Sequence, residues 1–297
     1  MSYDFKPMKA ENYGSVANIR FPVLGSPKLD GCRATCIHDM GLVTTSLAPV
    51  ANDFIRNQFS KPGLEGVDGE LIVGDACSAT AFNTTTGAFR RKSGEPKATW
   101  HVFDTLKIGR GTPFNQRLTY LKHQVDGIPN IKVVPHTWIL DVEQLDHFEA
   151  SMLKLGYEGV MLRDPDGVYK FGRSTVKEGL LLKVKRFTDI DVIVVGFEEL
   201  TSNQNELQVD ARGYAKRSTN QAGLIYANTL GALIVTSSKF KTPFNVGTGF
   251  TAAERAWIWS HQTEVMGQLG KVKYQECGTM EKPRIPTWLG FRSPLDT

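Results

Sequence analysis

Lys28-Leu29-Asp30-Gly31-Cys32-Arg33 is the most informative stretch of this chain. With Lys28 at the end of a strand, the period of two sets Lys28 and Asp30 on one face. Gly31 then permits a tight turn, and Arg33 can return toward the same pocket. A lysine, an acid two residues on and an arginine five residues on suit the handling of a phosphate. By itself the pattern is weak, because Lys-x-Asp-Gly also arises in ordinary surface turns.

Four further stretches strengthen it. Asp68-Gly69-Glu70-Leu71 opens an apolar run, and Phe103-Asp104 sits in an alternating one. Glu158-Gly159-Val160-Met161-Leu162-Arg163 follows, then Leu182-Lys183-Val184-Lys185, where alternation puts both lysines on one face. Each has a plain structural explanation. Glu70 and Glu158 could be solvated strand ends, Phe103 a core residue, and Lys183 and Lys185 the wet face of a half-buried strand. Five such elements in this order are harder to assign to chance.

Around these motifs the hydrophobic pattern predicts strands at Val67–Val73, Trp100–Leu106, Gly159–Arg163, Leu180–Phe187, Asp191–Phe197, Ala232–Thr236 and Val272–Gln275. A helix is expected after Asp141, with Gln144 as capping-box partner, ending near Gly156. Another runs from Thr251, with Glu254 in the same relation, to about Gln268, and a third spans Asn115 to Val125. The mixture reads as α+β, with antiparallel sheets and flanking helices. At 297 residues, about two domains are expected, with the boundary near Thr188–Asp189. Domain one is residues 1–188. Domain two, residues 189–297, has short strands and one long helix, which suits an OB-fold barrel. Residues 201–228 are polar throughout and read as an inserted loop or hairpin rather than core.

Composition excludes several classes. The chain is 41% hydrophobic and 22% charged, with a net charge of +4. It is long enough to fold without staples, and mildly basic, a weak pointer to a polyanion. Cys32, Cys36, Cys77 and Cys277 form no zinc-site spacing and read as free thiols. No run approaches the ~20 apolar residues of a membrane span, and the N-terminus lacks the apolar core of a secretion signal. A soluble cytoplasmic or nuclear protein is expected.

The five motifs resemble those of the covalent nucleotidyltransferases, the superfamily of DNA ligases, RNA ligases and mRNA capping enzymes. Further stretches are similar to the compact ATP-dependent DNA ligases: Tyr169-Lys170-Phe171-Gly172-Arg173-Ser174-Thr175, Gly213 to Thr219, Gly247-Thr248-Gly249-Phe250, and Pro283-Arg284-Ile285-Pro286 with Gly290-Phe291-Arg292. The resemblance implies an adenylation domain followed by an OB-fold, and three steps. Lys28 takes AMP from ATP, passes it to a DNA 5′-phosphate, and a 3′-hydroxyl then displaces it to seal a nick in double-stranded DNA, in repair or replication. By likeness, Asp30 orients the 3′-hydroxyl. Arg33 and Glu70 hold the ribose, Phe103 stacks on adenine, and Lys183 and Lys185 grip the α-phosphate. Glu158 binds a metal or a nucleotide group and Glu70 a metal, the metal being Mg²⁺ with Mn²⁺ able to stand in. Arg284 acts on the leaving pyrophosphate. Arg173, Lys216 and Arg217 contact DNA, the last two from a latch-like insert at residues 201–228. The enzyme is expected to act as a monomer.

One departure is visible. Compact ligases carry a Ser-Arg-Thr stretch whose Arg clamps the nick 5′-phosphate. Here the corresponding stretch is Thr44-Thr45-Ser46, so that either Arg56, Arg90 or Arg91 takes over or nick sensing is weaker, and the sequence leaves both open. The core motifs are equally compatible with an RNA ligase or a capping-type guanylyltransferase, and the second-domain stretches favour DNA. A DNA-end-binding module with a decayed site would not be expected to keep Lys28, Glu70, Glu158, Lys183 and Lys185 together. An NAD⁺-dependent ligase is not expected either, since only 27 residues precede Lys28 and zinc-finger cysteines are missing.

Overall fold

The computed structural model describes residues 5–276 and 281–292. Cys277 and the N-terminal Met1–Asp4 segment fall outside them. The chain forms two compact units, one of Met1–Lys185 with Asp210–Gly213, the other of Arg186–Val209 with Tyr214–Thr297. The division thus follows Lys185, slightly ahead of the expected Thr188.

The first unit holds two five-stranded sheets. One runs Gly41–Thr44, Cys32–Ile37, Val67–Val73, Ala98–Thr105, Ile131–Val133, antiparallel except for its last pair. Along Ala98–Thr105, alternate side chains from Ala98 to Val102 are buried. They join Leu71, Phe59, Phe114 and Leu121 in one core, as a period-two strand with one buried face requires. The second sheet runs Glu11–Asn12, Leu181–Val184, Val160–Arg163, Val23–Pro27, Thr137–Ile139. Its core gathers Val23, Ile139, Val160, Leu162 and Leu182 with Leu145 of the helix Val142–Lys154.

That helix is capped by Asp141, whose carboxylate accepts from Gln144 N at 2.9 Å. The expected reciprocal bond is displaced by one residue. Gln144 Oε1 accepts from Leu140 N at 3.1 Å rather than from the cap itself. The third expected helix occupies Phe114–Gln124. Two helices carry no strong sequence signal: Asp53–Phe59, capped by the Asn52 side chain, and Ala81–Arg90, whose cap makes no side-chain hydrogen bond.

In the second unit the strand order is Phe244–Val246, Leu224–Thr236, Thr188–Asn203, Leu269–Gln275, Arg284–Phe291, all antiparallel. The two edges then meet: Thr248 bridges Thr287, and Trp288 N donates to Thr248 O at 2.9 Å. The sheet therefore curls into a barrel, which removes its free edges. Val194, Leu233, Val272 and Trp288 fill it, with Ile258 supplied by a helix. That helix, Ala252–Ser260, starts with a full Thr251/Glu254 capping box. It breaks at His261, and a short continuation stops at Val265 rather than Gln268. There Gly267 turns the chain at φ +80° and donates to Val194 O at 2.9 Å, feeding residues 269–275 into the sheet.

The polar segment 201–228 is more ordered than a loop. The paired strands Thr188–Asn203 and Leu224–Thr236 run through its ends, and Leu207–Val209 pairs with Ala215–Arg217 beyond them. A ribbon solvated on both faces has no buried side to impose alternation. Among the described residues no helix is long and apolar enough to cross a membrane.

Candidate active site

A cavity of about 300 Å³ in the first unit is lined by residues of both sheets, among them Lys28, Arg33, Glu70, Phe103, Met161 and Lys183. Lys28 directly follows the strand Val23–Pro27. Its N–H donates to Gly159 O at 2.9 Å, and its carbonyl accepts from Glu158 N at 3.3 Å. This backbone clamp sets Lys28 against Glu158. Gly159 has φ +147°, and a Cβ there would lie 2.2 Å from Val184 O, so only glycine lets the strands close this tightly.

The consequence is a carboxylate between two ammonium groups. Lys28 Nζ bonds one Glu158 oxygen and Lys185 Nζ the other, and the Glu158 side chain is 1% exposed. Burial pushes this carboxyl up, but the charges of Lys28 and Lys185 and their hydrogen bonds overcome it and bring it to about 2. Lys185 is lowered from the usual lysine range by burial and then by Lys28. Lys183 is lowered by burial, then by Arg173 and Lys28. Both lysines of the Leu182–Lys185 stretch thus serve this cavity, Lys183 as lining and Lys185 through Glu158.

Gly31 earns its place differently from the expectation. Its backbone is not left-handed. A Cβ would instead sit 2.3 Å from Leu71 O, so the requirement is close packing against the neighbouring strand. Asp30 lies outside the cavity lining, although its charge reaches Glu70. Glu70 faces the cavity and is pushed to about 7. Burial is the main cause; Lys28 and Arg33 oppose it, and Asp68 and Asp30 add to it.

Arg33 is committed within the protein. Its Nε donates to Asp68 Oδ1 at 2.9 Å, its Nη2 to Asp68 Oδ2 and, at 3.3 Å, to Tyr169 OH, and its Nη1 to Met8 O. Asp68, fully buried, also accepts from Thr35 Oγ1 at 3.1 Å and from Tyr169 OH at 2.7 Å. The guanidinium lies 5.4 Å from the Phe103 ring centre. Phe103 is presented by a bulge: Asp68 pairs with Asp104 and Gly69 with Val102, leaving Phe103 over.

The residue after it does something the sequence did not reveal. Asp104 is fully buried between Arg117, at 2.8 Å, and Arg163, at 2.8 Å. Arg163 also lines the cavity. Asp68, Asp104 and Tyr169 lie in stretches quoted from the sequence, but their supporting roles were not legible there, and Arg117 and His136 stand in none of those motifs. The local hint for the two acids was their placement inside apolar strands.

Arg173 stands at the cavity rim with its side chain 53% exposed, and donates to Ala10 O at 2.9 Å. Lys216 and Arg217 are exposed on the polar ribbon. Arg284 belongs to the second unit, opposite Gln275 in the barrel. Of the three arginines weighed against Thr44–Ser46, Arg56 is held by Val50 O at 2.7 Å and by Asp53. Arg90 and Arg91 are exposed at the end of the helix Ala81–Arg90. Cys32, Cys36 and Cys77 are free thiols.

Comparison with known proteins places this geometry. Residues 7–185 match the family model described as ATP dependent DNA ligase domain, and residues 225–292 match DNA ligase OB-like domain. The chain is 28% identical over 218 residues to a DNA ligase of Thermococcus fumicolans, covering 65% of this chain and 38% of that protein. For a DNA ligase of Thermococcus onnurineus the figures are 27% over 223 residues, 65% and 38%. The chain therefore spans about two fifths of the length of these curated relatives. Among solved structures, Chlorella virus DNA ligase-adenylate superposes with a TM-score of 0.56 at 28% identity, covering 98% of this chain and 99% of that one. A structure from a study of Lig E DNA ligases shares the fold, with a TM-score of 0.69 at 24% identity, covering 97% and 99%.

Proposed function

The chain belongs to the ATP-dependent DNA ligase family, and on that premise we propose that it seals 5′-phosphate/3′-hydroxyl nicks in duplex DNA through a lysyl-AMP formed on Lys28. The observation that carries this reading is Lys28, at the wall of a cavity sized for a nucleotide, held from behind by Glu158, which Lys185 also engages. Lys28 Nζ forms a bond to the α-phosphorus of ATP, and the bond to pyrophosphate breaks. A free lysine has a pKa of about 10.4, so Lys28 must first give up a proton. Glu158, held near 2 by Lys28 and Lys185, is too weak a base to keep that proton, which passes to solvent water. It orients Lys28 instead, while Lys183 and Lys185, both lowered by burial, supply positive charge for the phosphate. Phe103, raised on its bulge, offers the flat face for adenine, and Arg33 is held rigid by Asp68 beside it.

A divalent cation fits this cavity as a partner of the triphosphate. Among the described residues no group of three or more acidic, His or Cys side chains is arranged to hold one, and both Glu158 oxygens are engaged by lysines. Mg²⁺ is commonly held by one or two carboxylates together with substrate phosphates. Glu70 is the residue that would hold it, and when bound it neutralises the leaving pyrophosphate. Asp30 orients the 3′-hydroxyl and Arg284 addresses the pyrophosphate. Arg173, Lys216 and Arg217 contact the DNA backbone, contacts that set affinity and salt dependence rather than sequence. Arg90 and Arg91 take the 5′-phosphate role, because Arg56 is already engaged.

The test is incubation with α-labelled ATP or GTP and Mg²⁺, followed by nick sealing. ATP should label the wild-type protein, and Lys28→Ala should neither label nor seal. Labelling by GTP alone, or sealing that survives Lys28→Ala, would overturn the reading.

A further inference from the structure

The strand Ile131–Val133 leads into Val134, whose N–H donates to Val102 O at 2.8 Å. This lays the next residues beside the strand that carries Phe103. His136 lines the same cavity as Phe103, Ser26 and Arg163. Its Nδ1 is 2.8 Å from Val134 O. A carbonyl only accepts, so Nδ1 carries the hydrogen. The ring is packed 5.3 Å from Phe114, whose ring also lies 4.5 Å from the Arg163 guanidinium. Burial above all lowers this imidazole to about 4. The Val134 carbonyl and Asp104 oppose the shift, while Arg163 and Lys122 add to it. The neutral ring therefore has a lone pair on Nε2, and no hydrogen-bond partner for that atom occurs among the described residues.

We propose that His136 Nε2 accepts a hydrogen bond from the exocyclic amine of adenine and so makes this cavity select adenine over guanine. The inference rests on reading the cavity as the ATP site and adds what reads the base. Adenine presents an amine donor where guanine presents a carbonyl acceptor. Against an acceptor fixed by its own Nδ1–H bond to Val134, guanine meets lone pair with lone pair. Ser26 lines the same cavity, but a hydroxyl turns to donate or accept and cannot make that distinction.

The experiment measures the rate of covalent labelling of the whole protein at subsaturating nucleotide. The probes are ATP, purine riboside triphosphate (hydrogen in place of the amine) and GTP. Wild type should use ATP about tenfold faster than the purine analogue, the size of one lost hydrogen bond, with GTP slower still. His136→Phe should bring the ATP-to-purine ratio close to one, and His136→Gln, whose amide oxygen accepts, should restore part of it. Equal wild-type rates with ATP and the purine analogue would overturn the contact without any variant being needed. So would an unchanged ratio in His136→Phe. If no nucleotide labels the wild type, the ATP reading itself falls, and the base contact with it.

Discussion

Replacing Asp104 by asparagine should come close to unfolding the first unit. The carboxylate is fully buried, and so is the Arg117 side chain; that of Arg163 is 4% exposed. Removing one partner of a buried ion pair costs about 3–5 kcal/mol, because the remaining charge is stranded in a poor dielectric. Here two guanidinium groups are stranded together. They share one carboxylate, so their costs are not additive. Asparagine keeps one oxygen acceptor, and Arg117 keeps its bond to Gly167 O at 3.1 Å. About 5 kcal/mol is then the expected loss, a large part of the ~5–15 kcal/mol that domains possess. Amide hydrogen exchange of the intact protein reads this directly, since each ~1.4 kcal/mol is tenfold in exchange rate for amides that open globally. The slowest amides of Ala98–Thr105 and Phe114–Gln124 should exchange more than about 10³-fold faster. Adding Arg163→Met should recover part of the loss by removing one stranded charge. Protection within tenfold of wild type across Ala98–Thr105 would refute the argument that this triad holds the strand.

Glu70 in the cavity and Glu158 behind Lys28 should give opposite pH signatures in the metal-free protein. Glu70 is raised to about 7, so its contribution to stability is complete below about 4.5 and is lost as pH rises through 7. Glu70→Gln should therefore flatten the fall in stability across that window in urea melts; an unchanged slope would contradict the assignment. Glu158 is lowered to about 2, so its contribution is complete above about 4.5 and is lost as pH falls toward 2. Glu158→Gln should weaken acid sensitivity over that range. Gly159→Ala would force a Cβ to 2.2 Å from Val184 O at φ +147°. It should cost about 2 kcal/mol or more in stability and reduce Lys28 labelling by parting the 28–159 clamp. A variant that melts and labels like wild type would show that the clamp is dispensable.

Short-range pattern was enough for much of this protein. The alternating apolar runs located Val67–Val73 and the strand around Phe103, and the caps at Asp141 and Thr251 located two helices. These are local effects, fixed by the period of the backbone and the orphan groups at helix ends. The motifs around Lys28, Glu70, Phe103, Glu158 and Lys183 were legible for the same reason, since each is a few contiguous residues. The polar ribbon at 201–228 was legible as an inserted loop or hairpin but not strand by strand, because without a buried face its strands carry no alternation. Nor could the sequence say which charges are free to act. Lys28 and Glu158 are 130 residues apart, and Asp68 and Tyr169 are 101 apart. Their contacts follow from which strands lie side by side and from a one-residue bulge at Phe103. Tertiary structure alone decided that Arg33 is bound to Asp68, that Asp104 supports two arginines, and that His136 lines the cavity with its Nδ1 held by Val134 O. A buried charge takes whichever partner the sheet register brings within reach, and that register is set by packing across the whole unit.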